Sequence, residues 1–424
     1  MTTASSSSRK SGGYFLPMLI ISILFFIFGF VTWLNSILIP YLKVACELTN
    51  VQAFFVTSAF YMAYFVTAFP SSLILKKTGL KNGMMLGLLV MAAGSVLFIP
   101  AAATRTYWIF LTGLFIMGTG LSILQTASNP YVTIIGPIES AARRISILGI
   151  CNKAAGAIAP LILAYYIFND ADAFIKSLEG LSLTEKTAQL DLLAQRVINP
   201  YIIMTGFLIL MGLFVKFSPL PAIEEEQDAN TGRKERKNIF AYPHLILGAI
   251  ALFFYVGAEV IAGDTIIRYG QSLGIEMEKA KHFTSYTMIS MVIGYLLGIA
   301  LIPKIIDQRK FLLYSMIIGI ILSLCAIFTT GTTSVMFVAL LGFSNAIVWP
   351  AIWPLAIHNL GAHIRTGSAM LIMAIAGGAI LPLLWGWNAD HYSPQQGYWI
   401  VFACYLIILL YALRGYRITS WKKK

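Results

Sequence analysis

Four ionisable side chains fall inside long apolar stretches of this 424-residue chain: Lys153, Glu259, Asp264 and Arg268. An ionised group near the centre of a bilayer costs about 2.5–3.5 kcal/mol or more, so each needs a partner or a task. A carboxylate held in low dielectric can load and release a proton near neutral pH. With hydroxyls and carbonyls beside it, the same group can bind sodium. Lys153, Glu259 and Asp264 are therefore candidates for ion coupling, with Lys153 alternatively serving as a built-in cation that replaces the ion. Glu259 and Asp264 are five residues apart, about 140° round a helix, and so do not share a face. Arg268 follows Asp264 by one turn, where an ion pair forms easily. A structural reading competes: Asp264 pairs with Arg268 near a helix end, and Lys153 snorkels or satisfies backbone carbonyls.

Neutral polar groups beside aromatic rings form the second constellation. Amides both donate and accept hydrogen bonds, as polyhydroxylated ligands require, while C–H faces of such ligands pack on rings. Asn35, Gln125, Asn129, Asn152, Asn345 and Asn388 lie in apolar runs, with Trp33, Trp349, Trp353, Trp385 and Trp387 in comparable positions. The candidate binding set is Trp33, Asn35, Gln125, Asn129, Asn152, Trp349, Trp353 and Asn388. Trp349 and Trp353, four residues apart, share a helix face. Tryptophan also anchors helices at the membrane surface, and Asn129 before Pro130 also fits a kink whose amide satisfies freed backbone groups. His358 closes an apolar run and reads as a capping or interface residue.

The elements that hold these residues are membrane helices. The chain is 58% apolar and only 11% charged, against about 25% charged in soluble domains. A spanning helix needs about 20 apolar residues. Runs of that length cover 17–42, 51–75, 82–103, 107–135, 144–168 and 200–218, then 243–268, 282–303, 311–329, 333–359, 367–387 and 397–413. The fold class expected is an all-α integral membrane protein with twelve transmembrane helices in two six-helix bundles. Residues 1–16 form a tail, 17–218 the first bundle, 219–240 a linker, 241–415 the second bundle and 416–424 a basic tail. Segment 169–198 is expected to be a short amphipathic surface helix opposite the termini.

The net charge of +12 sits in short loops, which excludes a nucleic-acid face and places both termini in the cytoplasm by the positive-inside rule. The first apolar run is too long for a cleavable signal. Cys46, Cys151, Cys325 and Cys404 lack metal-ligand spacing, and no phosphate-binding loop of the ATPase type appears. No metal or cofactor is expected. A membrane enzyme would show a catalytic His/Asp cluster or a sizeable loop domain, and neither is present.

The chain also repeats itself. Leu124-Gln125-Thr126-Ala127-Ser128-Asn129-Pro130 corresponds to Val348-Trp349-Pro350-Ala351-Ile352-Trp353-Pro354. Arg143, Gly156 and Pro160 map onto Arg365, Gly378 and Pro382 at one constant offset. Phe25-Phe26-Ile27-Phe28-Gly29 matches Phe253-Phe254-Tyr255-Val256-Gly257, which sets Ser36 opposite Asp264. Such a repeat near half the chain length marks a transporter of two halves.

Asn35-Ser36-Ile37-Leu38-Ile39-Pro40, Ser58-Ala59-Phe60-Tyr61, Gln125 to Tyr131, Asn152 with Gly156, and Tyr255-Val256-Gly257-Ala258-Glu259 resemble the major facilitator superfamily. Within it they resemble the fucose–galactose–hexose:proton symporter family. The likeness covers essentially the whole chain. Thr32-Trp33-Leu34-Asn35, Asn152-Lys153 and Ala262-Gly263-Asp264 look closest to the N-acetylglucosamine and glucose/galactose permeases. The resemblance implies a bacterial inner-membrane carrier, acting as a monomer, that imports a hexose or N-acetylhexosamine by alternating access with a proton or sodium ion. A sugar uniporter and an exporter of another small molecule are the alternatives. In fucose permeases of the family an acid stands at the positions of Ser36 and Gln125, so their proton site does not transfer here. The superfamily's usual loop Asp is also missing where Lys76 and Lys77 stand, Asp307 being the nearest counterpart in the second half.

Overall fold

A computed structural model describes residues 15–135, 141–168, 171–178, 180–221, 239–302, 305–360 and 363–421. The tail before residue 15, the linker charges Glu224–Glu226 and Arg233–Lys237, Lys304, Lys422–Lys424 and the side chains of Arg143 and Arg365 lie outside it. The described residues form helices and no strands. Among them are twelve long helical stretches. In the first half they are α1 Phe15–Ala45, α2 over 55–78, α3 over 80–103, α4 Tyr107–Ile134, α5 Ala141–Ile167 and α6 Ile198–Phe217. In the second they are α7 Pro243–Asp264, α8 Phe283–Leu301, α9 Gln308–Phe328, α10 Gly331–Ile357, α11 Thr366–His391 and α12 Tyr398–Leu413.

Among the described residues eleven stretches are long and apolar enough to cross a membrane, because one of 49 residues, Phe55–Ala103, holds two spans. Gly79 divides it, with φ 73° and ψ 168°, a left-handed conformation that glycine adopts without penalty. Phe60 and Ala63 pack on Gly118 of α4, while Gly87 packs on Gly120 of the same helix. Residues 60 and 87 would be about 40 Å apart in one straight helix at 1.5 Å per residue. The chain therefore folds back at Gly79, and the count is twelve.

Four helices that approach the centre are irregular there. α1 turns at Leu34, α7 gives way at Thr265 to a short helix Ile266–Ser272, α10 loosens at Ala346–Ile347, and α11 tightens into a 3₁₀ turn at Ala374–Ala376. Irregular backbone at membrane depth is tolerated where it is buried in protein or lines a cavity. These breaks sit beside Trp33, Asp264 and Trp349.

The segment after α5 departs from a single helix lying along the membrane surface. It forms two helices, Ala171–Ser177 and Leu183–Gln195. The second buries Leu190 and Leu193 while leaving Leu183 in the open. Its end is pinned by the Tyr41 hydroxyl, which donates to the carbonyls of Leu193 at 2.6 Å and Ala194 at 3.0 Å. Lys186 pairs with Glu47 and Arg105 with Asp191 around the same helix. Its apolar face thus covers the ends of the first bundle.

Candidate functional site

A cavity lies where the halves meet. The first half lines it with Trp33, Tyr61, Tyr64, Gln125, Asn129, Asn152 and Lys153, the second with Tyr255, Glu259, Tyr295, Trp349 and Pro350. Lys153 on α5 and Glu259 on α7 form an ion pair across the seam. Both are buried, their side chains 10% and 9% exposed. Two charges this far from water are sustained by each other, since either alone would carry a large desolvation cost. The Lys153 ammonium also stands 4.5 Å from the centroid of the Trp33 ring, a cation–π contact strengthened by exclusion of water.

Trp33 is held on three sides. Its five-membered ring lies against Gly156 of α5, its six-membered ring against Gly263 of α7, and its Nε1 donates to Asn152 Oδ1 at 3.5 Å. A Cβ at either glycine would collide with the indole. Because Gly156 and Gly263 belong to opposite halves, the ring fills the seam between them. Gln125 Nε2 donates to the Tyr64 hydroxyl at 3.0 Å, a bond that uses neither the Gln125 carbonyl nor the Tyr64 O–H. Trp349 stacks on Trp353 with centroids 5.3 Å apart.

Of the expected binding set, the cavity gathers Trp33, Gln125, Asn129, Asn152 and Trp349, and of the expected coupling set, Lys153 and Glu259. Three candidates fall elsewhere. Asn35 is buried behind the wall, Trp353 supports Trp349 from outside the lining, and Asn388 stands near the far end of α11 beside Asp390. Asp264 does not line the cavity either. It is fully buried, and neither carboxylate oxygen has a hydrogen-bond partner among the described residues. The Asp264–Arg268 pair does not form; α7 stops at Asp264 and the next short helix starts at Ile266. Arg268 instead donates to Asn50 and Gln271.

The sequence reading missed Tyr61, Tyr64, Tyr255 and Tyr295, whose rings and hydroxyls supply much of the wall. The signal was present in part: Tyr61 and Tyr64 are three residues apart and therefore on one helix face. His358 offers its carbonyl to His244 Nε2 at 2.9 Å, in keeping with an end-of-helix role. Asp307 bonds Arg309 at 3.0 Å on the surface. Among the described residues no three His, Cys, Asp or Glu converge as metal ligands.

On the face opposite the termini the halves are latched. Asn50 Oδ1 accepts from Lys43 Nζ at 2.7 Å and from the Arg268 guanidinium. Its side-chain NH2 donates to Asp390, and the backbone N–H groups of Asn50 and Val51 donate to the same carboxylate at 3.3 and 2.9 Å. Ser58 Oγ donates to the Ala379 carbonyl at 2.6 Å one level deeper. The half-exposed lining residues Phe25, Phe28, Trp349 and Pro350 lie toward the termini. The cavity is thus shut on one side and approachable from the other.

Residues 21–376 match the family model of the Major Facilitator Superfamily. The chain belongs to that superfamily. Within the superfamily, a glucose/galactose transporter of Brucella abortus is 36% identical over 414 residues, covering 97% of this chain and 96% of the relative. The L-fucose-proton symporter of Escherichia coli K12 is 30% identical over 415 residues, 95% of this chain and 94% of the relative. Among solved structures, the major facilitator transporter FucP in its outward conformation superposes with a TM-score of 0.75 at 29% identity. It covers 96% of this chain and all of its own. The resemblance to the fucose–galactose–hexose:proton symporters read from the sequence holds along the whole length, and these relatives are transporters, not enzymes.

Proposed function

We propose that this major facilitator imports a hexose or N-acetylhexosamine across a bacterial inner membrane by alternating access, coupled to a cation. The observation that carries the reading is the seam cavity itself. Amides and tyrosines surround an aromatic pair, and one ion pair joins the two halves. Gln125, Asn129 and Asn152 would meet sugar hydroxyls, and Trp33 and Trp349 the C–H faces. Lys153, Glu259 and Asp264 form the coupling set. The relatives are named as glucose/galactose transporters and fucose-proton symporters, which supports the substrate class. Residues 17–218 and 241–415 are the two moving bodies, 219–240 their connection, and the termini are cytoplasmic. The carrier works as a monomer.

The ion pair also favours a second reading. Lys153 already neutralises Glu259 from within the protein, as a uniporter with a built-in cation requires. Uptake of labelled glucose, galactose, fucose and N-acetylglucosamine into vesicles holding the pure protein separates the two. Each sugar is offered with no gradient, an inward proton gradient or an inward sodium gradient. Accumulation above equilibrium is the expected result; equilibration alone would establish the uniporter, and uptake of none would remove the sugar assignment.

A further inference from the structure

The seam cavity contains a seat for an ammonium group, and the protein fills it from within. A carboxylate beside the face of an indole attracts such a group by charge-assisted hydrogen bonding and by cation–π contact. Glu259 and Trp33 make that arrangement, and its occupant is Nζ of Lys153, paired with Glu259 and 4.5 Å from the centroid of the Trp33 ring. Neighbours on α5 set the ring in place. Asn152 Oδ1 accepts from Trp33 Nε1 at 3.5 Å, and Gly156 leaves room for the indole against the helix. Among the described residues that line the cavity, Lys153 is the one cation and Glu259 the one acid. Asp264 and the phenols of Tyr61, Tyr255, Tyr295 and Tyr405 also act on Glu259 through space, and none of them is a cation.

We propose that Lys153 is a selectivity residue whose tethered ammonium occupies the place a free amine on a hexose would take. The carrier then accepts neutral hexoses and N-acetylated hexosamines and rejects cationic amino sugars. This rests on the sugar-transport reading above and narrows its substrate class; it concerns which ligand is admitted, not which ion is coupled. Two effects act against the amine. A second ammonium beside Lys153 meets a like charge at close range. Its desolvation also goes uncompensated, because Glu259 is already engaged.

Acetylation removes both objections and adds a carbonyl. Asn152 Nδ2 is buried with no hydrogen-bond partner among the described residues. This donor, on the residue next to Lys153, can serve an acetamido carbonyl or a sugar hydroxyl. An ammonium group is a donor only and leaves it unsatisfied.

The test uses the full chain at about pH 6, where the amine of glucosamine is protonated. In vesicles, wild type should take up glucosamine at least about tenfold less efficiently than its preferred neutral sugar among glucose, galactose and N-acetylglucosamine. Methionine ends one atom short of the lysine ammonium, so K153M removes the charge and vacates the Nζ position alone. In detergent, glucosamine and methylammonium chloride should each raise the melting temperature of K153M by several degrees over sodium chloride at equal ionic strength. Wild type should show no such rise, and neither should K153M/E259Q, which lacks the carboxylate. K153Q, also uncharged and one atom short, carries the comparison if K153M does not insert. No rise with methylammonium in the single variant, or an equal rise in the double variant, overturns the seat. Wild-type uptake of glucosamine on a par with the neutral sugar overturns the selection, a result that needs no variant to fold. A wild type that moves no sugar at all sinks the transport reading, and rescue by methylammonium then decides the seat on its own.

Discussion

The two halves share a backbone plan yet bring opposite chemistry to the seam. The first contributes amides and the cation: Gln125, Asn129, Asn152 and Lys153. The second contributes the acids, Glu259 and, behind the wall, Asp264, while both supply rings, Trp33, Tyr61 and Tyr64 against Tyr255, Tyr295 and Trp349. Mirrored positions make the contrast direct, since Asn129-Pro130 corresponds to Trp353-Pro354 and Ser36 to Asp264. Rocking about a central site needs only that the helices move as equivalent bundles. It places no demand on what each bundle presents, so each face is free to specialise for one side of an asymmetric ligand. The seam is held where the difference is greatest, at Lys153 against Glu259.

Breaking that opposition carries the largest expected effect. Removing one member of a buried pair leaves an uncompensated charge and typically costs about 3–5 kcal/mol. E259Q and K153M should each lower the melting temperature of the detergent-solubilised protein sharply and abolish gradient-driven accumulation. The double variant K153M/E259Q should regain most of the thermal stability without regaining accumulation. A double variant no more stable than the singles would show that the charges are not each other's main support.

Next in size is the cradle of Trp33. An added methyl in a packed site costs about 1–3 kcal/mol, and both cradle glycines would press on the indole. They differ in which half they belong to. G156A crowds Trp33 within its own half and should reduce stability without changing which face is open. G263A pushes across the seam and should favour the state opened on the latched face. A cysteine placed at Thr32, which also lines the cavity, would report this by labelling faster from that face in G263A alone.

The latch comes third. Asp390 accepts two backbone N–H groups and the Asn50 amide, but it is exposed to solvent. Its removal should therefore cost about 1–2 kcal/mol at most. D390N is expected to raise labelling from the latched face several-fold, to leave the melting temperature nearly unchanged, and to lower accumulation only modestly.

Twelve helices, the repeat and the presence of buried charges were legible in the sequence because apolar run length and intramembrane charge are local signals that need no partner to be read. Pairing was not. Lys153 and Glu259 stand 106 residues apart, and nothing in their spacing selects each other over Asp264. Asp264–Arg268 looked favourable because one-turn spacing presumes an unbroken helix, whereas α7 ends at Asp264 and a separate short helix begins at Ile266. The tyrosines escaped notice for a related reason: a ring in a membrane helix reads alike whether it faces lipid, core or cavity. Asn35 and Asn388 were included on residue type; Asn35 lies buried behind the cavity wall and Asn388 near the far end of α11.

The smallest effect belongs to the loop between α8 and α9, where the halves again differ. Pro354 has no N–H, so the Pro350 carbonyl one turn earlier lacks its helical donor. Gln308 supplies the replacement, with Nε2 donating to Pro350 at 3.0 Å and Ala351 at 3.1 Å. Pro350 lines the cavity and Trp349 precedes it, so one amide at the start of α9 holds the wall of the second half from outside. In the matching loop of the first half, Asn82 donates to Thr78 within its own segment at 3.1 Å and does not brace α4. Q308L should therefore weaken sugar binding through the Trp349 wall, with a stability loss of about 1 kcal/mol. Sugar-dependent quenching of tryptophan fluorescence would read the affinity. N82L, lacking any such link, should leave affinity unmoved, and an equal effect from both would mean that the loops act alike after all.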